Sequence, residues 1–409
     1  MRSVDEGGES QGKPGMQVIR IGALVCMLIA MAAPLPLGLL EHFGPIGIRQ
    51  ALVDGVPLIG EPPPATPPRP MLGNLLSREF QTAVDANLGP ILYPRSLIVR
   101  LTNEVYYDLF SKSQMFGRQI LVGKQGVLFG SDYVAVYCRA NQPQPTFPFV
   151  AKLADLNARL AKRGRVLLFV MTPSKAATMP EFLPSGACGP PANPLAGPAS
   201  LVAELRHAGI PVIDGITLAR TMGAQDPVAP FPRGGTHWSN LVAARVGGLV
   251  MSAIDQFAGE DFGGFKLGPP RWDAAPEGSD LDLAELLNLY QPPVDYVTGK
   301  AEINCAPTAA GRDTLLVAVG GSFTIGLLAP MQQCKLFKEI DYYNYYQHLT
   351  AFPGGAARPV VRKETDWRSI LAGPGQSVLV VELNELYMTG GQPYPWLDPF
   401  LDDALAALQ

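Results

Sequence analysis

The stretch Thr314–Leu328, TLLVAVGGSFTIGLL, decides the fold class. Leu315–Val319 is apolar and rich in strand formers, two glycines follow, then Ser322, then residues able to turn a helix. This reads as a buried strand, a tight turn and a helix start, with the serine at the strand's carboxyl end. Open α/β sheets bind ligands at that edge, where a helix N-terminus offers backbone N–H groups to a developing oxyanion. Gly320 and Gly321 are the expected oxyanion and turn residues. The competing reading makes Ser322 an ordinary helix N-cap. A serine nucleophile needs a base, and the chain has only 4 histidines. His237 stands in the dense segment Arg233-Gly-Gly-Thr-His-Trp-Ser-Asn240, just ahead of an apolar helical stretch, so Ser322 and His237 are the pair to test.

Outward from this stretch, strands alternate with helices. Phe149–Arg163 has helical periodicity ended by Gly164, and Arg165–Met171 is a continuous apolar strand leading into Thr172-Pro-Ser-Lys175. A helix around Leu201–His207 precedes a short strand, Pro211–Ile213, that ends at Asp214. Leu241–Phe257 reads as a helix and Ser377–Leu383 as the last strand. Strands apolar on both faces predict a mostly parallel sheet covered by helices on both sides. Gln119–Phe129 reads as two short strands around a Gly-Lys-Gln-Gly turn, and residues 258–312 as one long irregular stretch.

At the N-terminus, Ile21–Leu40 is a segment of twenty residues without a charge, preceded by Arg2, Lys13 and Arg20. It is long enough to span a bilayer with a cytoplasmic start. A cleaved signal peptide, with Ala30-Met-Ala32 as its small-x-small site, is the alternative, and both readings export the rest of the chain. The expected organisation is a cytoplasmic tail (1–20), an anchor or signal (21–40), a proline-rich linker (41–73) and one α/β domain (74–409). Outside the apolar segment lie Cys138, Cys188, Cys305 and Cys334, an even number in an oxidising compartment. Three connectivities are possible, and pairing Cys138 with Cys188 and Cys305 with Cys334 is the expectation. No C-x-x-C spacing supports a metal site, and no cofactor motif is read. A net charge of −4 with no basic block argues against a nucleic-acid partner.

Five landmarks come in an order that resembles the alginate O-acetyltransferase family of AlgJ and AlgX type. They are Gly123-Lys-Gln-Gly-Val-Leu-Phe129, Thr172-Pro-Ser-Lys175 with Glu181-Phe-Leu-Pro184, Thr236-His-Trp238, Gly320-Gly-Ser-Phe323 and Val380-Val-Glu-Leu-Asn-Glu-Leu-Tyr387. The resemblance runs from about Asn74 to Thr389. It implies an SGNH-hydrolase-like, flavodoxin-like three-layer sandwich behind an N-terminal transmembrane helix, single-pass in the inner membrane with the domain in the periplasm, or periplasmic after signal cleavage. It further implies O-acetyl transfer to an exopolysaccharide, with Ser322 as the acetyl-accepting nucleophile and His237 as its base. The partners implied are a polysaccharide acceptor and an MBOAT-like membrane protein donating acetyl groups. The family pattern places an aspartate two residues before the histidine, where this chain has Gly235. Asp226 and Asp214 are the candidate replacements, and Trp238, Arg233 and Lys175 the minor candidates for lining the cleft. A carbohydrate acetyl esterase and a non-catalytic subunit of a polysaccharide secretion complex are the alternative functions.

Overall fold

The computed structural model describes residues 95–113, 120–139, 147–188, 196–353, 358–360, 366–388 and 395–409, with a few short pieces before residue 83. Half of Ile21–Leu40 and most of the proline-rich linker lie outside the described residues. Among the described residues, one helix, Asn240–Ala258, is long and apolar enough to cross a membrane, and half of it is buried in the domain.

The chain divides into two units. In the first, helix α1 (Arg95–Phe110) holds the short piece Asn288–Gln291. Arg100 donates to the Leu289 carbonyl and the Tyr290 N–H to Glu104. The second unit, Ser111–Leu287 with Pro292–Gln409, carries everything that follows.

It opens with a hairpin, β1 (Ile120–Val122) and β2 (Leu128–Gly130), then α2 (Ser131–Cys138) and α3 (Phe149–Ala161). Strand β3 (Val166–Thr172) leads to the single turn α4 (Lys175–Thr178), followed by α5 (Ala196–His207), β4 (Val212–Asp214), α6 (Gly215–Gln225) and α7 (Asn240–Ala258). The region expected to be irregular instead pairs β5 (Gly263–Leu267) with β8 (Ile303–Pro307), and β6 (Arg271–Ala274) with β7 (Thr298–Lys300). Between β6 and β7 lies α8 (Asp282–Leu286). These strands were not legible because each is short and none shows a continuous apolar run. After α9 (Ala309–Asp313) come β9 (Leu315–Gly320), α10 (Phe323–Gln333), β10 (Glu339–Asn344), β11 (His348–Pro353), β12 (Arg358–Val360), α11 (Trp367–Ala372), β13 (Ser377–Asn384) and α12 (Leu397–Ala407).

The main sheet has the order β12-β11-β10-β9-β13-β3-β4. From β10 to β4 every pairing is parallel, whereas β10–β11 and β11–β12 are antiparallel, so the sheet is mixed rather than uniformly wound. A flavodoxin-like order would place the last strand at an edge; here β13 enters the middle. All eight of its residues are buried, and only a central position covers a strand on both faces. Alternate residues serve two cores. Leu168, Val170, Leu316, Ala318, Val378 and Val380 pack under α7 and α10. Leu167, Phe169, Met171, Val317, Val319, Leu379, Val381 and Leu383 pack against α3, α5 and α12. Glu382 therefore falls on the α7–α10 face, with no exposed surface.

The disulfides Cys138–Cys188 and Cys305–Cys334 form as expected, closing loops with sequence separations of 50 and 29 residues. By loop-closure entropy each contributes about 3–4 kcal/mol.

Candidate active site

Strand β9 delivers Gly320 and Gly321 to the sheet's carboxyl edge, and α10 starts immediately after Ser322. Ser322 has right-handed helical torsions, φ −63 and ψ −22, and its side chain caps nothing. The N-cap reading is therefore not met. Its Oγ instead lies 2.8 Å from His237 Nε2. The opposite ring nitrogen, Nδ1, is 2.5 Å from Asp282 Oδ2. A carboxylate facing Nδ1 makes that nitrogen the N–H, which leaves Nε2 as acceptor of the serine hydroxyl proton. All three residues are half-buried, with His237 and Asp282 side chains 21% and 27% exposed, so the run borders solvent.

Neither acid expected from the sequence reaches the imidazole. Asp214 caps α6, accepting from the Thr217 N–H and hydroxyl at 3.0 and 2.7 Å. Asp226 is ion-paired with Arg245. Both are held by nearer partners, and the carboxylate at His237 comes from α8, 45 residues downstream.

The backbone explains how Asp282 gets there. The Thr236 N–H donates to Asp282 Oδ1 at 2.6 Å, and the Gly234 carbonyl accepts from both Leu283 and Ala284 N–H at 2.9 Å. The α8 segment thus lies directly on the histidine loop. Only glycine admits that approach. A Cβ at Gly235 would stand 2.5 Å from the Ser279 carbonyl oxygen, and one at Gly234 would stand 2.8 Å from the Tyr296 hydroxyl. The missing side chain at 235 and the carboxylate at 282 are two sides of one packing solution. A sequence signal did exist, since paired glycines beside a candidate base mark close backbone approach.

Lys175 does not line a cleft. It is 3% exposed, and its ammonium donates to the carbonyls of Pro232, Arg233 and Gly235 at 2.6, 3.0 and 2.8 Å. Burial pulls it down to about 7, and Asp282 acts in the opposite sense. It shapes the turn from which His237 projects. Arg233 lies over the Tyr296 ring and donates to the Asp295 carbonyl at 2.8 Å. Trp238 is 2% exposed and packs edge-on against Phe323, a wall of the core beneath the site.

Gly321 holds the turn without offering its N–H to an oxyanion, because that N–H donates to Glu382 Oε2 at 2.6 Å. Thr324 donates to the same oxygen at 3.1 Å, and Thr172 is hydrogen-bonded to Oε1. Burial pushes Glu382 up from the ordinary carboxyl range, against those hydrogen bonds and the nearby His237. Gly320 lies in β9, paired opposite Asn344, and its carbonyl accepts from Tyr345 N–H.

Glu385 is a second buried carboxyl. It accepts from the N–H and hydroxyl of Ser174, the residue that caps α4. Burial pushes it up to about 7 despite those bonds. In the unfolded chain it ionises from about 4.5, so between those pH values the folded state holds an extra proton and stability falls as pH rises. Glu385→Gln cannot ionise. Its stability relative to wild type is expected to rise by about 3 kcal/mol from pH 4.5 to above 7. Paired urea titrations across that range check this, and a flat difference would refute it.

A mixed α/β sheet covered by helices, with a serine, a histidine and a carboxylate in hydrogen-bonded sequence at one edge, is an SGNH-hydrolase-like fold. Residues 120–318 match the family described as "SGNH hydrolase-like domain, acetyltransferase AlgX". Over that stretch the chain is similar to the AlgX-type acetyltransferase domain, in keeping with its landmarks. The match covers His237 and Asp282 and ends four residues before Ser322. Among solved structures, the O-acetyltransferase domain of Pseudomonas putida AlgJ is 15% identical, with a TM-score of 0.41 over 70% of this chain and 99% of that one. Pseudomonas aeruginosa AlgX is 14% identical, with a TM-score of 0.45 over 70% and 67%. Bacillus cereus PatB1 is 11% identical, with a TM-score of 0.40 over 68% and 100%. These likenesses are distant. No curated protein matches the chain.

Proposed function

We propose that this protein transfers acetyl groups to hydroxyls of an exopolysaccharide outside the cytoplasm, through an ester on Ser322. The observation that carries the reading is the hydrogen-bonded run from Ser322 through His237 to Asp282. His237 Nε2 takes the Oγ proton as Ser322 attacks the acetyl carbonyl, and returns it to the departing donor group. A sugar hydroxyl, deprotonated by the same nitrogen, then attacks the acetyl ester and frees Ser322. Asp282 keeps the imidazole in the required tautomer and stabilises it when charged. With the Gly321 N–H committed to Glu382, the tetrahedral oxyanion is met by the Ser322 N–H at the start of α10, where first-turn N–H groups have no intrahelical acceptor.

The alternative of a non-catalytic subunit drew its support from the glycine at 235, and a carboxylate from Asp282 removes that support. An acetyl donor from the membrane, an MBOAT-like partner, an anchor at Ile21–Leu40 and a periplasmic domain remain parts of this proposal. The two disulfides favour the exported side, and reporter fusions placed after Pro70 test the topology. For the chemistry, the folded protein is incubated with an activated acetyl ester and Ser322 is mapped by peptide mass. An adduct on Ser322 that passes to an added oligosaccharide supports the transferase. Passage to water alone makes the protein an esterase. No adduct on a folded protein refutes both.

A further inference from the structure

Strand β10 runs parallel to β9 with Asn344 opposite Gly320, so the turn that follows β10 lands beside the serine turn. Tyr345 N–H donates to the Gly320 carbonyl at 2.8 Å. Tyr345 and Tyr346 both have left-handed backbones, φ 48 and 53, a conformation that bulky L residues rarely adopt. The two then part. Tyr346 is 1% exposed and locked in the far core, bonded to Asp403 and Trp367. Tyr345 stays half-exposed, its ring so close over Gly321 that a Cβ there would lie 3.0 Å from it. Tyr342 fixes the same glycine from below, donating to its carbonyl at 2.7 Å.

One more phenol stands beside Tyr345. Tyr387, also half-exposed, stands edge-on to Tyr345 with ring centroids 6.5 Å apart. The wall beside Ser322 is thus aromatic, edged with hydroxyls, and accompanied by acidic groups. The cations closest to the site in sequence are engaged elsewhere: the Lys175 ammonium is enclosed by three carbonyls, and Arg233 lies over Tyr296 with a bond to Asp295.

We infer that Tyr345, with Tyr387 beside it, forms the acceptor subsite and that it takes an uncharged glycan. The inference rests on the transferase reading above and chooses among its acceptors. A sugar ring lays its C–H face on the Tyr345 ring, and the phenols meet its hydroxyls, combining an apolar body with a polar edge. A uronate would bring its carboxylate toward Asp282 and the negative faces of the aromatic rings, while Lys175 and Arg233 are held by other partners.

The test titrates the full chain, without acetyl donor, with β-1,4-linked glucose and mannose hexasaccharides and with a hexauronate. At least one neutral hexasaccharide is expected to bind about tenfold more tightly than the uronate, and Tyr345→Ala to weaken it by about tenfold. Tyr345→Gly suits the backbone at φ 48 and also removes the ring, so it should reproduce the loss even if the alanine variant folds poorly. Equal or tighter uronate binding, no neutral binding, or full neutral binding by the folded glycine variant overturns the inference. Failure of Ser322 to form an adduct counts against the catalytic reading alone, because binding is measured without it.

Discussion

Replacing Asp282 by Asn is expected to cut acetyl transfer from an activated ester by about 10⁴-fold, the loss seen when the acid of a serine-protease triad is neutralised. The side chain keeps its size, so packing of α8 on the histidine loop is retained. What changes is the proton. An amide turned to satisfy the Thr236 N–H with its oxygen presents its NH₂ to His237 Nδ1. The imidazole then carries its proton on Nε2, where it cannot act as base toward Ser322. The decisive comparison adds Gly235→Asp to Asp282→Asn. Restoring an aspartate at the family's usual position should not rescue activity, because its Cβ would meet the Ser279 carbonyl and the Pro232 ring at 2.5 and 2.8 Å. A double variant with wild-type turnover, or a single Asp282→Asn variant within tenfold of it, would sink the assignment.

Lys175→Met is expected to destabilise the domain by about 3–5 kcal/mol. Methionine fills a similar volume, so the loss is polar. Three carbonyls that now share one ammonium would be left without it in a buried turn. The turn carries His237, so transfer should fall together with stability. Urea unfolding of the full chain measures the first and ester turnover the second. A midpoint unchanged from wild type would mean that water or a relaxed backbone replaces the ammonium, and the positioning role would be abandoned.

Much of this arrangement could be read from local pattern. Ser322 follows a continuous apolar strand and a glycine pair, and His237 precedes a strong helix; both signals sit within a few residues of the functional atom. The two core strands β3 and β13 were equally plain, because strands buried on both faces are uninterrupted apolar runs. The mixed edge was not, since antiparallel β11 and β12 depend on pairing partners rather than on their own composition. Asp282 was hidden for a related reason. It is one of 36 acidic residues, lies in a five-residue helix between short strands, and is chosen only by a contact across 45 positions. The enclosure of Lys175 was hidden as well, because nothing in its neighbourhood shows that three carbonyls will converge on it.

The remote origin of that acid also bears on the order in which the protein matures. The parallel sheet can assemble from β3, β4, β9, β10 and β13 without the β6–β7 segment, which pairs only with itself and reaches the sheet's serine edge through Asp282. Contacts of long sequence separation and modest burial are the first to open and the last to close. A newly folding chain would therefore pass through a form with an intact core, a serine and histidine in place, and no carboxylate behind them. Such a form is folded by every bulk measure and chemically silent. Hydrogen exchange should find the N–H groups of Thr236, Leu283 and Ala284 opening together, well below the global unfolding energy, making docking of this one segment the event that arms the enzyme.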